Sequence, residues 1–177
     1  MRCAMKTITL ARSALLVAMA LALSYMERFL PLQLIVPLPG VKLGLANLVT
    51  MMALYFLSAR QGFVILLLRC VLGSVFYGGL SGLAMSLTGG ILAYAVMAAA
   101  KKSGSFSVYG VSILGAAAHN LGQVLAAGMM MGSVYTLFYL PFLLLTGLLT
   151  GVITGSAAAF AFRALRGTKL DALTHTA

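Results

Sequence analysis

Apolar residues run along the chain in long blocks, interrupted by short clusters of glycine, proline, serine and charge. Run length and these breakers predict membrane helices at roughly 8–26, 43–58, 62–77, 81–100, 108–131 and 135–162, to be set against about 20 residues for a full crossing. The second and third are short for a hydrocarbon layer of about 30 Å, and the third carries Arg69, so a re-entrant pair is the alternative for these two. Basic residues ahead of the first run also fit a signal peptide, although the run is long for one and the stretch from Ala11 to Ala22 suits helix packing.

Composition makes lipid the solvent. The 177 residues are 62% hydrophobic and 8% charged, whereas a soluble surface wants roughly a quarter or more of charged side chains. The expected fold is all-α, a single polytopic integral membrane domain over residues 1–177, because spans and short loops consume nearly the whole chain. With six spans and a cytoplasmic N-terminus, nine of the twelve basic residues fall inside: Arg2, Lys6, Arg12, Arg60, Lys101, Lys102, Arg163, Arg166 and Lys169. Both termini are then cytoplasmic. The net charge of +10 reports this topology and an attraction to anionic headgroups, and calls for no nucleic acid.

Few residues carry chemistry. His119, Asn120 and Gln123 interrupt the apolar run 108–131, and polar groups in hydrocarbon cost several kcal/mol apiece unless a partner helix or a ligand satisfies them. His119 and Gln123 share one helical face, with Asn120 about 100° round from His119. Arg69, near the middle of a span, costs at least about 2.5 kcal/mol on insertion scales and should face a cavity, a partner or a ligand. Its expected company is His119, Asn120, Gln123 and Tyr77; a snorkelling arginine and plain interhelical hydrogen bonding are the bland alternatives. The first outer loop, Glu27 to Lys42, holds Pro31, Pro37, Pro39 and Gly40 around Leu34, Ile35 and Val36, so it neither continues a helix nor suits water and should lie against the protein or the interface. Lys42 at the start of the second span would add to the pull of helix-end amides on an anion, while Glu27 and Arg28 pair with each other, anchor to headgroups or gate a ligand.

Other chemistries lack their residues. Glu27 and Asp171 are the two acids of the sequence, which leaves no aspartate cluster for magnesium on a diphosphate, no carboxylate pair for acid–base catalysis and no membrane-embedded acid of the usual relay kind. No phosphate-binding loop occurs, so ATP-driven work needs another subunit. Cys3, Cys70 and the histidines show no metal-ligand or disulfide spacing. A non-enzyme without metal or cofactor is expected. Cationic Lys42, Arg69 and Arg28 favour a solute with a carboxylate or phosphate.

Two stripes of small residues complete the pattern. Ala14, Ala18 and Ala22 on the first span can serve internal packing or dock another membrane subunit, whereas Gly147, Gly151, Gly155 and Ala159 on the sixth are read as internal packing.

The segments Pro39-Gly40-Val41-Lys42-Leu43-Gly44-Leu45-Ala46-Asn47 and Ala118-His119-Asn120-Leu121-Gly122-Gln123 resemble the Gx transporter family, often labelled heptaprenyl diphosphate synthase component I. That family is in turn similar to the substrate-binding S components of energy-coupling factor (ECF) importers. The resemblance implies a six-helix bundle in a bacterial cytoplasmic membrane, a membrane coupling subunit and two cytoplasmic ATPases as partners, docking through Ala14, Ala18 and Ala22, and a first outer loop covering the ligand. It also brings Asn47 into the expected solute site with Lys42, Arg69, Tyr77, His119, Asn120 and Gln123. Its two labels imply different roles: capture of an anionic vitamin-like solute such as a flavin nucleotide or a prenyl phosphate, or a non-catalytic membrane component of heptaprenyl diphosphate synthase. Uptake is the favoured expectation, since the synthase role gives no reason for a buried polar cluster beneath an outer loop.

Overall fold

The computed structural model describes residues 2–29 and 44–165. The described residues are helical without strands: α1 (Arg2–Met26), α2 (Ala46–Phe56), α3 (Ala59–Gly73), α4 (Gly79–Ser103), α5 (Val108–Met131) and α6 (Leu140–Leu165). A 3-10 turn at Glu27–Phe29 follows α1, a π turn at Ser74–Gly78 joins α3 to α4, and a 3-10 turn at Val134–Tyr139 precedes α6. Three helical stretches, Thr7–Met26, Ala59–Ser103 and Val134–Ala164, are long and apolar enough to cross a membrane. Large apolar side chains such as Leu10, Leu80, Phe138 and Phe160 point outward, as expected of a membrane protein whose surroundings are lipid.

The elements depart from the expected spans in three places. In the region 43–58 the described helix α2 is 11 residues long, about 16 Å at 1.5 Å per residue and short of the hydrocarbon thickness. The helix expected at 62–77 starts earlier, where the Ser58 hydroxyl caps it by accepting from Gln61 N–H, and it ends in a π turn that apolar periodicity does not encode. The helix at 108–131 appears with its expected bounds, yet it is not among the stretches apolar enough to cross a membrane. It is the central helix, with half of its residues buried between α4 and α6.

Consecutive helices run antiparallel. Helical backbone continues from Ala59 to Ser103, but the chain reverses at Gly79 (φ +63°), a left-handed value glycine adopts without a Cβ clash. Across that reversal the Cys70 thiol donates to the Ser86 carbonyl at 3.4 Å, and Tyr94 OH donates to the Ala59 carbonyl. The α5–α6 pair is aligned by Ser112 and Thr154, whose hydroxyls lie 2.8 Å apart, and by Asn120 Nδ2, which donates to the Leu143 carbonyl. One end of the bundle thus gathers the end of α1, the start of α2 and the π turn. The other end carries the basic residues Arg60, Lys101, Lys102 and Arg163, where Lys101 Nζ donates to the Leu54 carbonyl at 2.8 Å. A cation there meets the negative end of α2.

Glycine sets the helix spacing. A Cβ on Gly122 of α5 would lie 2.7 Å from Gly89 Cα of α4, closer than carbon atoms approach without displacement. On α6, Gly147, Gly151 and Gly155 face Asn120, Ile113 and Tyr109 of α5, which assigns that stripe to internal packing. Gly122→Val should therefore force α4 and α5 apart at a cost of about 1–3 kcal/mol, read as a lowered melting temperature in detergent. Ala157→Val, on the exposed face of α6, should leave the melting temperature within a degree or so of wild type.

Candidate functional site

Arg69 lies on the buried face of α3, one turn before the π turn, and is 6% exposed. Its Nη2 donates to Asn47 Oδ1 at 2.9 Å, so the first turn of α2 supplies the acceptor. Charge-assisted bonds of this kind contribute about 1.5–3 kcal/mol. Among the described residues, Arg69 Nε and Asn47 Nδ2 are buried donors with no hydrogen-bond partner, and unsatisfied buried groups of this type mark places where a ligand, ion or water completes the structure.

Beside the guanidinium is a small cavity lined by Ser24, Glu27, Gly44, Ala46, Arg69, Cys70, Gly73, Tyr77, Ser86 and His119. Its interior is of the order of a single water. Tyr77 reaches it from the π turn, and its OH donates to the Leu21 carbonyl at 3.2 Å, joining the turn to α1. Tyr77 also meets Tyr25 edge-on at 5.7 Å between ring centroids, and Tyr25 meets Phe29 at 5.4 Å. The His119 ring is held between two glycines: a Cβ on Gly44 would sit 3.0 Å from His119 Cδ2, and one on Gly89 would sit 2.9 Å from His119 Nδ1.

Glu27, read from the sequence as pairing with Arg28, anchoring to headgroups or gating a ligand, lies in the interior. It is 4% exposed, lines the cavity and accepts from the Leu45 N–H through Oε1. Leu45 stands at the N-terminus of α2, where amides point outward without intrahelical partners and the helix end is partially positive. A carboxylate is suited to that position. Its burial follows from this bond, which ties the end of α1 to the start of α2 across residues 30–43.

The expected site residues separate into three groups. Arg69, Tyr77 and His119 line the cavity, and Asn47 joins them through Arg69. Asn120 and Gln123 are fully buried but do not line it. Asn120 faces α6 because it lies about 100° round α5 from His119. Lys42 and the Arg28 side chain lie outside the described residues, as does most of the first loop. Ser24, Ser86, Cys70 and Gly44 also line the cavity, and small polar residues on apolar helices gave no signal by which to single them out. Ala14, Ala18 and Ala22 are exposed, whereas Val17, Ala20 and Ser24 of the same helix are buried.

Comparison with known families accounts for most of the chain. Residues 16–161 match the family described as heptaprenyl diphosphate synthase component I. The chain belongs to this family. A search of curated proteins and a search of solved structures found no match. In this family member Gly44 of the first motif segment packs against His119 of the second at the cavity.

That junction is testable at Gly44, whose φ is +84°. Gly44→Ala introduces a left-handed alanine, costing roughly 1–2 kcal/mol, and presses a methyl against Asn47 Nδ2 and His119. The variant should melt several degrees below wild type; an unchanged melting temperature would show that the two segments are not closely packed.

Proposed function

We propose that the protein is a membrane-embedded solute-binding subunit of the ECF S-component type, which captures a small vitamin-like solute bearing an anionic group. The observation that carries this reading is Arg69: a buried guanidinium beside a cavity, with Nε unpartnered among the described residues and Asn47 Nδ2 unpartnered next to it. A membrane protein retains such a cation for a ligand or a partner. The gathering of Arg60, Lys101, Lys102 and Arg163 at the opposite end supports a multi-pass topology with that end cytoplasmic and the cavity opening outward.

The exposed stripe of Ala14, Ala18 and Ala22 supports docking of a membrane coupling subunit, because small residues let another helix backbone approach. Two cytoplasmic ATPases would supply the driving force through that subunit.

A second reading rests on the family description, which names a component of heptaprenyl diphosphate synthase. Under it the chain is a non-catalytic membrane partner of a synthase subunit, and magnesium-binding acids would belong to that partner. Isolating the tagged protein from its native membrane separates the two readings by whether ATPases or a prenyl synthase accompany it.

Arg69→Gln should weaken binding of the co-purified solute about tenfold or more, by loss of a charge-assisted bond. Isothermal titration in detergent measures this, with size-exclusion and melting profiles as folding controls. Wild-type affinity in the folded variant would make Arg69 a structural contact. Ala18→Leu should abolish cellular uptake while leaving solute binding by the isolated protein nearly intact. Equal loss of both would return the stripe to internal packing, and unchanged uptake would remove it from docking.

A further inference from the structure

The cavity beside Arg69 has room of the order of one water, whereas pockets for small-molecule ligands run to about 300 Å³ or more. On the solute-binding reading this is a closed form, and one wall has to move. Several walls are tied. The start of α2 is held by Glu27 on the Leu45 N–H and by the bond from Arg69 to Asn47. The Cys70 thiol fixes α3 to the Ser86 carbonyl of α4. Between α4 and α5 there is no slack, since a Cβ on Gly89 would lie 2.8 Å from the His119 carbonyl oxygen. The remaining side, between the end of α1 and the π turn Ser74–Gly78, is bridged by Tyr77.

We propose that Tyr77 is a latch on a lateral entrance between α1 and the π turn, and that the cavity is reached when its hydroxyl leaves the Leu21 carbonyl. The purpose of the latch rests on the solute-binding reading above. Its mechanics rest on the turn.

The bond from Tyr77 OH to the Leu21 carbonyl is 3.2 Å long. Leu21 lies inside α1, where its carbonyl also serves the helix ladder, so releasing the tyrosine strands no backbone acceptor. The turn that carries the latch is loosely held. None of its residues is buried, and Val75 and Phe76 are 74% and 70% exposed, so its rearrangement takes no side chain out of the core. It closes through the wider π pattern, with the Gly79 N–H on the Ser74 carbonyl, a form found chiefly as single turns at functional sites. Gly79 at φ +63° gives the chain a swivel next to it. The ring contact of Tyr77 is Tyr25, itself half exposed. On the inner side, a Cβ on Gly73 would lie 3.1 Å from the Tyr77 hydroxyl, so the bare backbone there gives the latch its seat.

The probe for the entrance is Cys70, which lines the cavity and is 3% exposed. The sequence has two cysteines, so Cys3→Ser leaves Cys70 as the sole thiol. The full-length protein in mild detergent is treated with methyl methanethiosulfonate, a small neutral thiol reagent, and modification is followed by intact mass spectrometry. Tyr77→Phe keeps the ring and removes the hydroxyl. The net worth of a neutral hydrogen bond corresponds to roughly threefold to tenfold in an equilibrium, and Cys70 should react faster by that factor while the melting temperature stays within a few degrees. Val75→Ala, on the exposed face of the same turn, should leave the rate unchanged. An unchanged rate in folded Tyr77→Phe would overturn the latch. An equal increase in Val75→Ala would overturn it too, since the effect would then be a general loosening of the turn.

The Cys3→Ser protein with Tyr77 intact gives a second measurement. Entry by local opening lets Cys70 react to completion well below the melting transition, and reaction that begins only as the protein melts would overturn the entrance. No solute takes part in either measurement, so the solute-binding reading stands or falls separately, on Arg69→Gln.

Discussion

A guanidinium buried in a helical membrane protein needs acceptors supplied by the protein, and that requirement organises this interior. Arg69 is met by Asn47 from the first turn of α2. Asn47 is in turn placed by the Gly44–Leu45 segment, which Glu27 anchors to the end of α1. Three helices therefore meet at one charged side chain. Because Arg69 donates through Nη2 and leaves Nε without a partner among the described residues, the arrangement has unused donor capacity beside a cavity.

The short helix α2 belongs to the same logic. At 11 residues it does not by itself span the hydrocarbon, but it brings its N-terminus down to the level of Arg69. There the Leu45 N–H meets Glu27 and the first turn presents Asn47. At its other end Lys101 donates to the Leu54 carbonyl and stands 4.7 Å from the Tyr55 ring centroid. Both helix ends are thus met by charges of the sign that the macrodipole favours.

Small residues perform two different tasks in the same molecule. On α5 and α6, glycine permits backbones to approach until side-chain hydroxyls and amides bond across the interface, as in the Ser112–Thr154 pair. On α1, the alanines face away from the bundle, while Val17 and Ala20 face inward. The spacing is four residues in both stripes. What differs is which neighbour occupies the adjoining face.

Much of this was legible in the chain because hydrocarbon restricts the choices. Long apolar runs required an all-helical membrane protein, since helices satisfy backbone hydrogen bonds internally. The isolated Arg69 and His119 declared themselves as costly in that setting, and both line the cavity. The π turn, the burial of Glu27 and the outward turn of Asn120 toward α6 were not legible. Each depends on which helices become neighbours and at what rotation about their axes. Periodicity places Asn120 about 100° from His119, but only packing decides that one direction holds a cavity and the other holds α6. The alanine and glycine stripes make the same point: one-dimensional spacing determines that a smooth face exists, and only the tertiary structure decides whether that face is covered, because burial belongs to the neighbouring helix as much as to the residue itself.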